Sequence, residues 1–471
     1  MSKERNLRNP NLKEAIVIMG MVILVLLISI NLSLELVPAL IFGTIVATIG
    51  AYYLGANWSQ VEEGIIIGIK NGLGAILILM IIGPVIGAWI LGGTIQTMIY
   101  YGLKILKPEI FLPVGFILCS IISVLIGTSF GTIATMGIVL MGVGEGLGVP
   151  AEMTAGAVIA GAIFGDKISP MSDSTNLTAA MSNTPLMSHV KSMLYVSGPA
   201  VLISIVIYFV IGRSSLTSVS DATVIEEILA TLSSNFNLSL LTLVPVIVVI
   251  GLLAMQISAL PALTISFLAA SLFAIITQGA TVTDVINVAA IGYQPNTGYE
   301  LLDNLLSQGG VSSMMGTVSI IITGTAMGGI LEKFGILQAL LDSLMKIIKK
   351  PRDLILASLA SGYLMLLATG EMMVSIIVPA RTLEPAYRKM KVNNNVLSRS
   401  METSATLGCA VLPWGVAAVY ARGVLGVGLG YVKYCYLPFL APIIAIIYAF
   451  VGFATFMADD NESDEQLMEE L

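Results

Sequence analysis

Residues 164–180, FGDKISPMSDSTNLTAA, place two carboxylates, a lysine and several hydroxyl and amide groups inside an apolar stretch. Asp166 and Asp173 are seven residues apart and would share one face of a continuous helix. Pro170 lies between them, and a proline in a helix interior breaks the helix. The break frees backbone carbonyls before the proline and exposes amides after it. Because hard cations prefer oxygen ligands, this stretch predicts a binding site for an ion such as Na⁺.

The composition of the chain indicates a membrane protein. Of its 471 residues, 56% are hydrophobic and 11% are charged, with a mean hydropathy of +0.94, whereas soluble domains have about 25% charged residues. The basic residues are few and scattered, which excludes a nucleic-acid partner. The single histidine, His189, and three cysteines without CxxC spacing argue against a metal site, a disulfide framework or an enzyme. No cofactor is predicted beyond transported ions.

The apolar segments predict an all-α polytopic fold, since a crossing helix needs about 20 mostly apolar residues. Ten crossings are predicted, at 12–32, 36–54, 65–91, 153–180, 192–212, 239–256, 261–278, 311–331, 399–420 and 433–456. Two further segments, 110–141 and 353–380, are too long for one crossing and short for two. Both are rich in Gly, Ser and Thr, and we expect helical hairpins that need not cross fully.

An internal repeat relates the two hairpins. Glycines and prolines recur at one offset of 243 residues, in the pairs Pro108 and Pro351, Gly127 and Gly370, Gly165 and Gly408, and Pro170 and Pro413. Each half would contain five crossings and one hairpin, and an odd number of crossings inverts the second half. Inverted repeats with broken helices near the bilayer midplane are typical of secondary transporters. A plain helical bundle with accidental symmetry is the alternative.

The charges of the loops predict the orientation and the domain boundaries. The basic N-terminus and the basic segments 344–352 and 381–399 would be cytoplasmic, whereas the acidic loops 142–152 and 213–238 would be external. The predicted organisation is a cytoplasmic segment 1–11, a first repeat 12–212, an external linker 213–238, a second repeat 239–456 and an acidic cytoplasmic tail 457–471. Both termini are therefore expected in the cytoplasm, and the protein in the cell membrane.

Polar residues inside the membrane segments gather at equivalent places in the two halves, and ionisable residues there mark a pathway or site by default. The predicted ion-binding and proton-coupling residues are Asp166, Asp173, Ser169, Ser172, Thr175, Asn176, Glu402 and Glu371. Further candidate ligands are Thr128, Ser129, Thr132, Lys167, Thr403 and Ser404, with helix breaks at Pro170 and Pro413. Na⁺ is expected at Asp166 and Asp173.

Each of these residues also has a structural interpretation. Asp173 could cap a helix, and Lys167 could form an ion pair with a neighbouring aspartate. Glu371 and Glu402 could make polar contacts between helices. The serines and threonines could bond only to the backbone of their own helix.

The stretch GDKISPMSDSTNLTAA resembles the signature of the NhaC-type Na⁺/H⁺ antiporters, a branch of the ion-transporter superfamily. The segments IGAWILGGTIQTMIYYGLKIL (86–106), IGTSFGTIATMG (126–137) and ETSATLGCAVLPWG (402–415) extend the resemblance over most of the chain. It implies a transporter with a scaffold and a mobile domain that exchanges H⁺ for Na⁺, with Asp166 and Asp173 as the ion-binding acids. The related malate/lactate antiporters share the signature.

The function predicted is therefore Na⁺/H⁺ antiport by alternating access. The alternative is a Na⁺- or H⁺-coupled carrier for a small organic acid or an amino acid, because helix N-termini can bind a carboxylate without any arginine. A membrane enzyme lacks support, since no nucleophile–histidine or metal constellation is present. The expected partners are membrane lipid and the transported ions, and a homodimer is a further expectation.

Overall fold

The computed structural model describes residues 7–32, 34–214 and 222–457, so the acidic tail after residue 457 lies outside the described residues. The described chain is helical, with one isolated bridge between Val392 and Met457. Nine helices in these ranges are long and apolar enough to cross a membrane. The predicted all-α polytopic fold is confirmed.

The first half begins with long helices and ends with broken ones. Its α-helices are α1 (Leu12–Asn31), α2 (Leu36–Tyr53), α3 (Trp58–Leu91), α4 (Thr94–Ile105), α5 (Pro108–Ile126), α6 (Ser129–Thr132), α7 (Ile138–Gly146), α8 (Ala151–Ile168), α9 (Asp173–Met181) and α10 (Leu186–Ser214). A π-helical turn, Ile133–Gly137, joins α6 to α7, so the backbone is helical from one to the other without a break.

The second half follows the short helix α11 (Ala222–Asn235). Its α-helices are α12 (Val244–Ala254), α13 (Ala259–Gln278), α14 (Val282–Ile291), α15 (Glu300–Leu306), α16 (Val311–Lys333), α17 (Ile336–Met345), α18 (Pro351–Thr369), α19 (Met372–Lys389), α20 (Asn394–Met401), α21 (Leu407–Cys409), α22 (Val416–Leu425) and α23 (Leu437–Val451). A second π-helical turn, Glu402–Thr406, joins α20 to α21. Helices α14 and α15 were not predicted.

Both predicted breaks are present. The crossing expected at 153–180 is divided into α8 and α9 by the four residues 169–172, which include Pro170. The crossing expected at 399–420 is divided by the segment 410–415, which contains Pro413. The crossings expected at 239–256 and 433–456 are shorter than predicted, because the 3₁₀ turns Leu240–Leu243 and Leu429–Tyr434 replace their first residues.

The two predicted hairpins are each a pair of helices separated by a two-residue break. Helix α5 ends at Gly127 and α18 ends at Gly370, and both glycines have positive φ angles, of 76° and 64°. Such angles are readily adopted only by glycine, which explains the sharp helix ends. A side chain at Gly127 would overlap the backbone of Met171, and one at Gly370 would overlap the carbonyl of Trp414. Each hairpin tip is thus packed against the broken segment of its own half.

Helix boundaries recur with the same offset as the glycine and proline pairs. Helices α5, α6, α8 and α9 begin at 108, 129, 151 and 173, and α18, α19, α20 and α22 begin 243 residues later. The repeat therefore extends to local structure. The opposite orientation of the two halves in the membrane and the domain boundaries stay predictions.

Helices α3 and α16 form a close helix pair in the interior. Gly68 faces the Thr325 carbonyl and Gly329 faces the Gly64 carbonyl, with no room for a side chain at either glycine. Small residues let helix backbones approach closely in membranes, where packing rather than hydrophobicity drives association. Of this pair, α3 contributes residues to the wall of the cavity described below.

Candidate functional site

A cavity of about 820 Å³ lies where the first break meets the tips of both hairpins. Its lining includes Asn71, Thr128, Ser129, Asp166, Pro170, Met171, Ser172, Asp173, Ser174, Asn176, Gln256, Glu371, Cys409 and Val416. These residues come from α3, from both halves of the repeat and from the turn between α12 and α13. The predicted convergence of the polar segments is therefore present in the fold.

Asp166 is the most enclosed acid of the cavity, with 6% of its surface exposed. Ser129 donates a 2.6 Å hydrogen bond to one carboxylate oxygen, and Ser172 donates a 2.5 Å bond to the other. Ser129 begins the second helix of the first hairpin and Ser172 lies in the break. The carboxylate is thus held between two hydroxyls, and all three side chains supply oxygens of the type that binds hard cations.

Asp173 begins α9 and is exposed to the cavity. An acid in the first turn of a helix is stabilised by the unpaired amides and by the helix dipole. No side-chain cap from Ser172 accompanies it, because the Ser172 hydroxyl is directed to Asp166. Asp173 therefore both begins the helix and lines the cavity, and its role in ion binding stays a prediction.

Glu371 approaches the cavity from the second half. It is the residue that precedes α19, and its side chain accepts a 2.8 Å hydrogen bond from the backbone amide of Val374. Its position matches that of Thr128, which precedes α6 and accepts from the amide of Gly131. Both are caps at hairpin tips. The second half thus brings a carboxylate where the first half has a hydroxyl.

Lys167 and Glu402 lie behind the cavity and do not line it. Both are fully buried. Lys167 donates a 3.0 Å hydrogen bond to Thr403, which itself donates to the carbonyl of Arg399. The Oε1 atom of Glu402 is 3.0 Å from the Thr178 hydroxyl. No ion pair within 4.0 Å joins Lys167 to an acid among the described residues, so the structure does not contain the alternative arrangement in which Lys167 pairs with an aspartate.

The remaining predicted residues divide into those that support the break and those that bond along a helix. Ser169 donates to the carbonyl of Val124, and Thr175 donates to the carbonyls of Asp166 and Lys167. Asn176 donates to the carbonyls of Pro170 and Ser172 while lining the cavity. These bonds tie the break to the end of α5, to the last turn of α8 and to the first turn of α9.

Three further candidates bond to the backbone of their own helix. Thr132 donates to Thr128, Thr403 to Arg399 and Ser404 to Ser400. None of the three lines the cavity, and neither does Pro413, whose segment packs against Gly370 through Trp414. Their contribution is to local structure around the site.

Sequence reasoning missed Asn71, Gln256 and Thr178. Asn71 is an amide within the 34-residue helix α3, which is a signal that a search for isolated polar residues could have found. Gln256 has a positive φ angle of 62° in the turn between α12 and α13, and nothing in the sequence indicates this. Thr178 matters only through its contact with Glu402, which is 224 residues away.

The charge of the cavity is one-sided. Asp166, Asp173 and Glu371 line it, and no Lys, Arg or His is found in the lining formed by the described ranges. Among the same residues, no group of three or more His, Cys, Asp and Glu is close enough to hold a metal ion through those side chains alone. The oxygen atoms that line the cavity therefore come from carboxylates, hydroxyls, amides and backbone carbonyls.

Comparison with known proteins gives a consistent family. The sequence matches the Na⁺/H⁺ antiporter family over residues 11–180 and 161–453. It is 36% identical to the malate-2H⁺/Na⁺-lactate antiporter of Bacillus subtilis (strain 168), over 95% of this chain and 96% of that protein. It is 34% identical to the Na⁺/H⁺ antiporter NhaC of Alkalihalophilus pseudofirmus, over 93% of each chain.

A third relative, whose name gives a different cargo, is similar over a comparable share of both chains. The chain is 32% identical to the arginine/ornithine antiporter ArcD of Halobacterium salinarum, over 98% of this chain and 96% of that protein. All three relatives are antiporters, and their alignments include both halves of the repeat. The chain belongs to the Na⁺/H⁺ antiporter family.

Proposed function

We propose that the protein exchanges Na⁺ for H⁺ across the cell membrane. The observation behind this proposal is Asp166, a carboxylate held between two hydroxyls on the wall of a cavity whose charged side chains are all acidic. Na⁺ binds at Asp166 and Asp173, with hydroxyl and freed carbonyl oxygens as further ligands. The name of one relative, the Na⁺/H⁺ antiporter NhaC of Alkalihalophilus pseudofirmus, agrees with this cargo.

The mechanism that fits is alternating access, with no catalysed reaction and no resident cofactor. The hairpins and the broken helices move as a unit against the remaining helices, which opens the cavity to one side at a time. The breaks at 169–172 and 410–415 supply irregular backbone beside the cavity, the place where a membrane protein tolerates it. Both termini lie in the cytoplasm, and a homodimer is the assembly we expect.

Purified protein in liposomes tests this function. An imposed Na⁺ gradient should move protons in the opposite direction, as read by a pH-sensitive dye enclosed in the vesicles. Replacing Na⁺ with choline is the control. Absence of proton movement with Na⁺, Li⁺ and K⁺ alike would contradict the proposal.

A second candidate is coupled exchange of a small organic acid or amino acid. Its specific support is the cavity volume of about 820 Å³. One water molecule occupies about 30 Å³ in the liquid, so the cavity has room for more than a single ion. Helix N-termini at Asp173, Met372 and Val416 meet this space, and their amides attract carboxylates. Adding malate, lactate or arginine to the same assay separates the two candidates, because only the second predicts that proton movement depends on the added acid.

A further inference from the structure

Glu402 is a buried acid that the cavity does not use. It begins the π-helical turn Glu402–Thr406, has no exposed surface and is absent from the cavity lining. An isolated buried carboxylate is expensive in a membrane. The environment of its two oxygens therefore indicates whether the group is a protonated carboxyl or a charged carboxylate.

The first oxygen is in contact with the hydroxyl of Thr178. That hydroxyl donates a 2.7 Å hydrogen bond to the carbonyl of Ser174, one turn earlier in α9. It also lies 3.0 Å from Oε1 of Glu402. A hydroxyl has one hydrogen, and a carbonyl can only accept. The hydroxyl hydrogen is therefore shared between two acceptors, the Ser174 carbonyl and Oε1 of Glu402, and it satisfies a charged carboxylate only in part.

The environment of the second oxygen also favours a protonated carboxyl. Oε2 of Glu402 is buried and makes no hydrogen bond within 3.5 Å among the described residues. The Thr406 hydroxyl, which also lacks a partner at that distance, lies beside the carboxyl group. Glu402 forms no ion pair within 4.0 Å among the same residues. A buried carboxylate would leave a full charge with an unsatisfied oxygen, whereas a protonated carboxyl leaves only a neutral acceptor. Both oxygens therefore fit a carboxyl that holds a proton in this conformation.

A set of hydroxyls connects Glu402 to the cation site. Ser172 donates to Asp166 and lies 3.1 Å from the Ser174 hydroxyl, and Thr178 is bonded to the carbonyl of Ser174. Glu402 and Asp166 thus lie at opposite ends of one polar connection through the break and α9. Charge at one end is felt at the other, because the medium between them is buried.

We propose that Glu402 holds the proton exchanged for Na⁺, at a site separate from the one that binds the cation. This inference rests on the proposed function and assigns the two ions to different residues. With Asp166 charged and Lys167 cationic, a protonated Glu402 makes the buried group neutral while no Na⁺ is bound. When Na⁺ binds at Asp166, the group is neutral only after Glu402 loses its proton. A net buried charge is costly. The proton on Glu402 therefore disfavours Na⁺ at Asp166, and Na⁺ at Asp166 disfavours the proton on Glu402.

Two further charged groups, Arg399 and Asp173, carry opposite charges in both states and therefore leave this count unchanged. Lys167 and Asp166, at the end of α8, act on it electrostatically, and Arg399 of α20 acts on Lys167. Ionisable residues on the other elements packed against the π-helical turn are Asp173 of α9, Arg352, Asp353 and Tyr363 of α18, Arg381, Glu384, Tyr387, Arg388 and Lys389 of α19, Cys409 of α21 and Tyr448 of α23. Within the described residues, none of these forms an ion pair with Glu402.

The test uses Glu402→Gln, which mimics a carboxyl that never releases its proton. In liposomes with Na⁺ on both sides, exchange of radioactive Na⁺ should persist at saturating Na⁺, with a raised half-saturating concentration. Na⁺-driven proton movement should fall to the level of empty liposomes. The half-saturating Na⁺ concentration, which in the wild type should rise as pH falls, should lose this pH dependence. Glu145→Gln, an exposed acid of α7, is the matched control and should behave as wild type.

Two results would overturn the inference. Proton movement retained in Glu402→Gln would show that another group holds the proton. Loss of Na⁺/Na⁺ exchange at every Na⁺ concentration, in folded Glu402→Gln protein, would place Glu402 in the cation site itself. The proposed function is judged separately, by the wild type alone.

A second variant keeps the inference testable if Glu402→Gln does not fold. Thr178→Val preserves shape and removes the hydroxyl that donates to Oε1 of Glu402. The charged carboxylate loses more from this change than the neutral carboxyl does, so the proton should be held more firmly and the pH at which the half-saturating Na⁺ concentration changes should move upward. An unchanged pH profile would contradict the inference.

Discussion

Asp166 is held in place by two serine hydroxyls rather than by a cation. Ser129 and Ser172 belong to different segments, the hairpin tip and the break, and they reach the two oxygens of one carboxylate. A carboxylate neutralised by a fixed lysine would have little reason to attract Na⁺. Hydroxyls stabilise the charge and can also turn an oxygen toward an arriving ion. The pair therefore suits a site that must bind and release a cation in each cycle.

Replacing Ser172 should weaken Na⁺ binding without unfolding the protein. Hydrogen bonds to charged groups contribute about 1.5–3 kcal/mol, and 1.4 kcal/mol corresponds to about tenfold in affinity. We expect Ser172→Ala to raise the half-saturating Na⁺ concentration for exchange by about tenfold. Ser204→Ala is the control, since Ser204 is buried but bonds only to a carbonyl of its own helix. Equal behaviour of the two variants would contradict a role for Ser172 at the site.

The sequence indicated which residue types belong near the site better than it indicated the direction in which each side chain points. Asp166 and Asp173 were recognisable because carboxylates beside a proline are unusual in an apolar chain. Lys167 and Glu402 were grouped with them, but their side chains are directed away from the cavity. The side on which a residue lies depends on how α8 and the π-helical turn are rotated. That rotation is set by packing against distant helices, which the local sequence does not reveal.

At the level of elements, the hairpin tips and the breaks form two matching contacts. Gly127 lies against Met171, and Gly370 lies against Trp414. The two glycines are 243 residues apart, and so are the two residues that they contact. The glycines are needed twice, for their positive φ angles and for the absence of a side chain. Each contact fixes the position of a broken helix relative to a hairpin, and so the shape of the cavity.

Alanine at either tip glycine should therefore be costly. The left-handed conformation costs an L-residue about 1–2 kcal/mol, and the new methyl group would overlap backbone atoms that cannot move freely. We expect Gly127→Ala and Gly370→Ala each to lower the thermal unfolding temperature in detergent and to reduce exchange. Gly198→Ala in α10 has open space around the new methyl group and should be tolerated. Tip variants as stable and active as Gly198→Ala would refute this view of the tips.

The elements were largely predictable because glycine and proline act locally. The breaks at Pro170 and Pro413 and the helix ends at Gly127 and Gly370 follow from backbone geometry alone. The π-helical turns Ile133–Gly137 and Glu402–Thr406 were not predicted, since no residue type specifies them. Helices α14 and α15 were missed because each is too short to give the hydropathy of a crossing.

At the level of the whole molecule, alternating access between inverted repeats requires two halves of opposite orientation. Glu145 of α7 and Arg388 of α19 are equivalent positions, 243 residues apart, and both are exposed. The native cysteines, Cys119, Cys409 and Cys435, are all buried. A cysteine introduced at either position is therefore a specific label site.

Labelling in whole cells tests this orientation. A membrane-impermeant thiol reagent should modify Glu145→Cys from outside and should leave Arg388→Cys unmodified until the cells are opened. The native protein, with its buried cysteines, is the background control. Modification of both positions from the same side would show that the halves are parallel and would remove the basis for alternating access between inverted repeats.

The central claim is that Asp166 is where Na⁺ binds during exchange with protons. The most direct measurement compares wild type and Asp166→Asn in the same liposomes, with radioactive Na⁺ uptake driven by an outward proton gradient. Asparagine keeps the shape of the side chain and removes the charge. We expect uptake in the wild type and in Glu145→Gln, and none above empty liposomes in folded Asp166→Asn. Uptake by Asp166→Asn at the wild-type rate would contradict it.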